Sequence, residues 1–237
     1  MGATSEHISR QFEIDLDTTR TRVLQMGGLV EAQINSALAA FLNGDATLAE
    51  QVIADDARVN GYEVSIDNAC NHIVVRRQPA ASDLRLTMAI AKIVTDIERI
   101  GDEAKKIARM AKRVAEQQNP YANRFPAIRH TCEAAVTMLR EALDAFARMD
   151  AVTAAKVLKD DKEVDTEFRA VLRQAITYMM EDPRTISAGL DIVWVAKAIE
   201  RIGDHAKNVA EQVIYIVKGT DVRHTAFTDI ERKLLGD

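Results

Sequence analysis

The chain has 237 residues, 47% of them hydrophobic and 28% charged, which is enough to bury one large core or two small ones in an ordinary globular protein. A net charge of −5 with only 5% aromatic residues supplies neither the field nor the stacking platforms of a nucleic-acid binder, so no DNA or RNA partner is expected. Ten glycines and four prolines leave little material for linkers, which points to long helices with short connections.

Helical periodicity runs through almost the whole chain, and strict strand alternation is absent. A first helix is predicted over 8–42, ending at Asn43-Gly44-Asp45, where Gly44 stops one helix and Asp45 caps the next. The second covers 46–76 and ends before Pro79. The third starts at the N-cap candidate Ser82 and runs to 117, stopped by Asn119-Pro120. The cycle then repeats with a fourth helix over 124–148 and a fifth that starts after Asp150 and runs to 180. Asp182-Pro183 opens the sixth, with Asp as cap and Pro in the first helical position, and Lys218-Gly219 ends it. A short helix is predicted around 228–235 in the remaining tail.

An internal repeat turns this series of helices into a specific architecture. Ile97-Glu-Arg-Ile-Gly-Asp-Glu-Ala-Lys-Lys-Ile-Ala108 returns as Ile199-Glu-Arg-Ile-Gly-Asp-His-Ala-Lys-Asn-Val-Ala210, with nine of twelve positions identical at an offset of 102. Upstream, Ala40-Phe41 matches Ala145-Phe146, Asp45 matches Asp150, Asp55-Asp56 matches Asp160-Asp161 and Val59 matches Val164, all at an offset of 105. The change of offset makes the connection between the second and third helices three residues longer in the first copy. The expectation is an all-α chain of two tandem pseudo-symmetric three-helix bundles, the first over 1–118 and the second over 119–218, with a tail over 219–237.

Within the repeat, Glu98 and Asp102 stand four residues apart, as do Glu200 and Asp204, so each pair projects from one helix face. Like charges there cost an isolated helix roughly 0.2–0.5 kcal/mol, which suggests a cation opposite, either a basic side chain or a metal ion. Gly101 and Gly203 precede the aspartates at a cost of about 0.8–1 kcal/mol relative to Ala. They signal the close approach of another backbone or of a hydrated ion, and the spacing leaves both open. Facing carboxylates are expected from the preceding helix: Asp161 and Asp165 in the second copy, Asp56 and Asn60 in the first. Such a set, with no Cys and little His, selects hard oxygen-loving cations of the magnesium, manganese, calcium or iron class over structural zinc. His205 replaces Glu103 and either contributes to the second site or lines it. The plain alternative is a solvated face of weak ion pairs, since Arg99, Lys105, Lys106, Arg201 and Lys207 crowd the same motif.

The doubled Glu-Arg-Ile-Gly-Asp, the two three-helix units and the length resemble the PhoU family, accessory regulators of the phosphate-specific transport system. The resemblance runs from Met26-Gly27 to the end of the sixth helix. It implies two spectrin-like bundles related by a pseudo-twofold axis, with multinuclear clusters of divalent or trivalent metal ions on paired acidic motifs. Carried onto this chain, those motifs are Glu98–Asp102 and Glu200–Asp204, faced by Asp161–Asp165 and Asp56–Asn60; Asn60 departs from the acidic pattern. The resemblance also implies a cytoplasmic, non-enzymatic negative regulator of the phosphate-starvation response. Its partners would be the ATPase subunit of the phosphate transporter and a sensor histidine kinase, and a homodimer is expected.

Other features fit this expectation. Cys70 and Cys132 read as isolated, reduced core residues, the polar start carries no secretory leader, and the apolar run Ile192–Ala196 is far too short to span a bilayer, leaving only peripheral membrane contact through partners. The methionines and Trp194 are expected to pack between helices. A carboxylate-bridged di-metal enzyme would need Glu-x-x-His on two helices, and no such pair exists among the five histidines. A metal-free helical scaffold is the remaining alternative.

Overall fold

The computed structural model describes residues 2–79, 81–116, 125–223 and 225, with side chains from residue 11 onward. Six helices follow in order: α1 Gly2–Asn43, α2 Ala46–Arg77, α3 Ala81–Glu116, α4 Pro126–Arg148, α5 Ala151–Glu181 and α6 Ile186–Lys218, with a single 3-10 turn, Pro183–Thr185, before α6. No strand occurs among the described residues. The expected stop at Asn119-Pro120 and the short helix at 228–235 lie outside them.

The helices turn as the punctuation directs. Ala40 and Ala145 each accept a hydrogen bond from the backbone N–H five residues on, at Asp45 and Asp150, both at 2.9 Å. This is the 6→1 bond of a Schellman closure, with Gly44 (φ +65°) and Met149 (φ +53°) as its left-handed residues. Asp45 then accepts from the Leu48 N–H at 3.0 Å, while Asp150 accepts from Val152 and Thr153 at 2.9 and 3.2 Å and from the Thr153 hydroxyl at 2.6 Å. The expected cap at Ser82 is corrected: α3 begins one residue earlier at Ala81, and Asp83 supplies the first-turn negative charge that favours the helix dipole. Asp182 caps the 3-10 turn through the Arg184 N–H, and Gly219 (φ +72°) closes α6.

Each copy is an up-down-up bundle. Asp15–Arg77 and Arg22–Ser65 set α1 antiparallel to α2, and Glu50–Lys112 sets α2 antiparallel to α3. In the second copy Glu141–Lys156 does the same for α4 and α5, and Lys207–Asp161 for α5 and α6. The repeated sequence echoes are core positions: Ala40, Phe41, Ala145 and Phe146 are fully buried, and Val59 and Val164 nearly so. Gly101 and Gly203 resolve in favour of close helix crossing. A Cβ at either would lie 3.3 Å from Cγ1 of Val59 or Val164 on the preceding helix, so the glycine lets the two helices meet.

The bundles join through their first and third helices. α3 packs antiparallel on α6, and α1 meets α4 where a Cβ on Gly27 would overlap Leu143 and where Arg140 pairs with Glu31. Two packing expectations fail here. Met26 and Met138 fill the core as expected, but Met88 and Met180 are exposed, and Trp194 is 63% exposed because its α6 face lies outside both bundles. The cap difference between the two hairpins yields a prediction. Thr153 holds the Asp150 carboxyl below its usual range, so the cap is fully formed at neutral pH and fails as pH falls through that lowered value. Asp150→Ala is expected to cost about 1 kcal/mol, or about 2–4 °C in Tm, at pH 7, with the deficit shrinking in acid; calorimetry across pH checks it.

Candidate functional site

The isoleucines of the repeated motif decide where its carboxylates go. Ile97, Ile100 and Ile107 on α3, and Ile199 and Ile202 on α6, are fully buried in their bundles, which leaves Glu98, Asp102, Glu200 and Asp204 on the flank facing the preceding helix. In the first copy Glu98 gathers with Asp102, Glu63 and Asp56. Burial pushes the Glu98 carboxyl above its usual range, and those three neighbours push it further, with Arg99 opposing. Glu63 is raised in the same way, first by burial, then by Asp67 and Asp102. In the second copy Asp204 is raised by burial and then by Glu200, Asp161 and Asp165, with Lys197 opposing.

All seven acidic positions expected from the sequence therefore fall into two ridges, one per bundle. Each ridge also holds a cation at an equivalent place. Lys105 Nζ lies 2.5 Å from Asp56 Oδ2, and Lys207 Nζ lies 2.7 Å from Asp161 Oδ2. Glu200 has a further partner in Lys197 at 2.6 Å. Among the described residues, Glu98, Asp102 and Asp204 have no such basic partner within ion-pair distance. Asn60, which breaks the acidic pattern, turns its amide toward Asp56 at 3.5 Å.

Glu63 and Asp67 were not singled out by sequence. They follow Asp56 and Asn60 along one face of α2 at helical spacing, so the period was a usable signal, but their repeat equivalents are Phe168 and Leu172, and the comparison of copies hides them. His205 is a correction. It borders one cavity with Asp204, but its ring is buried against α3 with Nδ1 2.9 Å from Asp96 Oδ1, because its side of α6 faces the other bundle.

The fit to a metal ion divides into chemistry and convergence. The donors are carboxylate oxygens whose mutual repulsion a hard cation would relieve. Yet among the described residues no three Asp, Glu, His or Cys side chains gather closely enough to hold an ion. Asp56 and Asp161 already have lysine partners, so an ion would have to compete with Lys105 and Lys207.

The repulsion can be tested without metal. A carboxyl raised on folding weakens the fold as pH climbs from its ordinary value through its raised one, because the native state holds the proton longer. Glu98→Gln and Glu63→Gln are each expected to raise Tm by about 1–2 °C at pH 7 in chelator-treated buffer, from roughly 0.2–0.5 kcal/mol per relieved pair, and to give no gain near pH 4. Melting curves at both pH values decide it.

Comparison with known proteins places these ridges in a family context. A model of the PhoU domain matches residues 23–111 and again residues 128–213. The phosphate-specific transport system accessory protein PhoU homolog of Pseudomonas aeruginosa is 49% identical over 231 residues, covering 97% of this chain and 95% of that protein. PhoU of Escherichia coli is 45% identical over 234 residues, with 98% and 95% covered. The crystal structure of PhoU from P. aeruginosa superposes with a TM-score of 0.83 at 50% identity, covering 88% of this chain and 100% of that one. The phosphate transport system regulatory protein PhoU from Streptococcus pneumoniae gives 0.82 at 26% identity, covering 89% and 99%. With the same domain matched across both bundles and near-full-length relatives at this identity, the chain belongs to the PhoU family.

Proposed function

We propose that this protein is an accessory regulator of phosphate uptake that represses the phosphate-starvation response while phosphate is plentiful. It acts from the cytoplasm as a non-catalytic adaptor between the ATPase subunit of a phosphate ABC transporter and a sensor histidine kinase. The names of the P. aeruginosa and E. coli relatives, both phosphate-specific transport system accessory proteins, support the transporter side of this reading. No helix among the described residues is long and apolar enough to cross a membrane, which suits a protein brought to the bilayer by partners.

The observation that carries the metal-binding part is the repeated ridge. Both bundles set a Glu-x-x-x-Asp pair on the third helix against an aspartate of the second, and each ridge has a motif carboxyl, Glu98 in the first and Asp204 in the second, that burial and its acidic neighbours raise above its usual range. Glu98, Asp102, Asp56 and Glu63 would hold cations on the first ridge, and Glu200, Asp204, Asp161 and Asp165 on the second. Bound ions of the magnesium, manganese or iron class would neutralise the ridges and let them approach an acidic partner. A second reading, a metal-free scaffold, is favoured by one specific observation: Lys105 and Lys207 already neutralise one aspartate in each ridge.

Metal content separates the two. Full-length protein is stripped with chelator, reloaded with manganese or iron, dialysed and analysed by elemental mass spectrometry. Glu98→Gln combined with Glu200→Gln is expected to weaken metal affinity by on the order of tenfold or more and to derepress a phosphate-starvation reporter in phosphate-rich medium. Unchanged metal stoichiometry in the double variant would end the ion-binding reading and leave the scaffold.

A further inference from the structure

The packing of α3 on α6 creates two grooves that are repeat equivalents of one another, and the copies have diverged in opposite directions. The first groove, about 280 Å³, has a floor of Met110, Ala198 and the exposed Trp194. At an offset of 102 the equivalent floor of the second is Gln212, Asp96 and Lys92. The rim of the first is cationic, with Lys106, Arg109, Lys197 and Arg201. The matching rim of the second is Asn208, Glu211, Thr95 and Arg99. The second groove is wider, about 540 Å³, and polar inside: Asn208 and His205 both bond to Asp96, at 3.0 and 2.9 Å, and Arg223 joins its lining.

Among the described residues the first groove is bridged at one point only, by Arg201 and Glu103 at 3.0 Å, which leaves Trp194 uncovered, and its apolar surface extends along α6. Ile186 and Leu190 precede Trp194 at successive four-residue steps and are 44% and 47% exposed. A stripe at i, i+4 and i+8 lies on one helix face. Exposed apolar residues aligned beside a cationic rim are the mark of an interaction surface, whereas scattered single ones are not. The charge is locally reversed in a chain of net −5. Glu103 is the one carboxylate lining the groove, shared between Lys106 at 2.7 Å and Arg201 at 3.0 Å. Arg109 has no carboxylate partner among the described residues.

We propose that this groove docks an amphipathic helix of a partner protein, its apolar ridge laid on Trp194, Met110 and Ala198 and its acidic flanks against Lys106, Arg109, Lys197 and Arg201. A channel between two antiparallel helices accepts the ridge of a third helix, and the four cations select acidic flanks. The long aromatic surface of Trp194 is the natural anchor of such a contact. The docking meets the ridges at one point, Lys197, which also pairs with Glu200 at 2.6 Å; chelator-treated protein and a variant at Arg109, which touches no ridge carboxylate, keep the two readings distinguishable.

Trp194 is the only tryptophan of the chain, so its emission reports occupancy. The probe is a synthetic helical peptide of about four turns with one leucine stripe and glutamates on both flanks. It is titrated onto the full-length, chelator-treated protein beside a control in which every glutamate is lysine. A saturable blue shift is expected with the glutamate peptide, with affinity about tenfold higher than for the lysine peptide and falling with added salt. Arg109→Glu, at an exposed position without a structural partner, is expected to narrow or invert that preference while leaving the melting curve unchanged. Equal affinity for the two peptides, or no binding of the glutamate peptide, overturns the proposal. So does a blue shift produced only by phosphatidylglycerol vesicles, which would mark a membrane surface. A shift on concentrating the protein alone, with doubled mass in sedimentation, would mark a second copy and overturn it as well. A red shift in the full chain carrying Leu234→Glu and Leu235→Glu, without peptide, would show that the chain's own tail fills the groove.

Discussion

The structure depends on the antiparallel seam between α3 and α6, where each helix must bury one face in its own bundle and a second face against the other. The seam is held by polar links placed inside it. Asp96 takes hydrogen bonds from Asn208 and His205, Glu103 is gripped by Arg201 and Lys106, and Asp191, almost wholly buried, meets Arg113 at 3.3 Å. Such groups contribute less to net stability than to registry, because desolvation offsets much of their attraction. Removing one partner leaves a buried charge alone, at a cost of about 3–5 kcal/mol. The seam thus fixes how far α3 can slide on α6, and with it the placement of everything that either helix carries.

What they carry is nearly symmetric on one side and asymmetric on the other. Toward the second helix of each bundle, the glycine–valine crossing and the lysine–aspartate bridge occur twice with nearly identical geometry. Toward the opposite bundle, Glu103 stands where the second copy has His205, and Ala198 where the first has Asp96. Each substitution is complemented across the seam: Asp96 has His205, and Glu103 has Arg201. A duplicated unit that must pack against its own twin can vary only in such matched sets. The surfaces around the seam are freer, and there the copies differ most.

The sequence carried the fold in its punctuation. Gly44-Asp45, Asp150 and Gly219 stand at helix ends, and each does the job that its backbone or side-chain chemistry permits. The repeat located the acidic positions because the motif isoleucines are core on one side and leave one flank for charge. What periodicity could not convey was how many neighbours a helix has. Trp194 belongs to an apolar segment and reads as core, yet its face falls beyond the reach of both bundles. His205 follows the motif aspartate and reads as part of its ridge, but a one-residue step turns a helical side chain by about 100°, enough to put it in the seam. Glu63 and Asp67 escaped notice because only one copy has them.

The seam also bears on how such a chain arose. α2 and α5 lie outermost, while the first and third helices of each unit are the ones that touch the other unit. A half-length ancestor would have exposed that whole two-helix face, and the simplest way to cover it is with an identical face turned through a half rotation, as in an isologous dimer. Fusing two such subunits in one polypeptide removes the concentration dependence of their assembly. It also releases each half from having to match itself, which a true homodimer of single units can never escape.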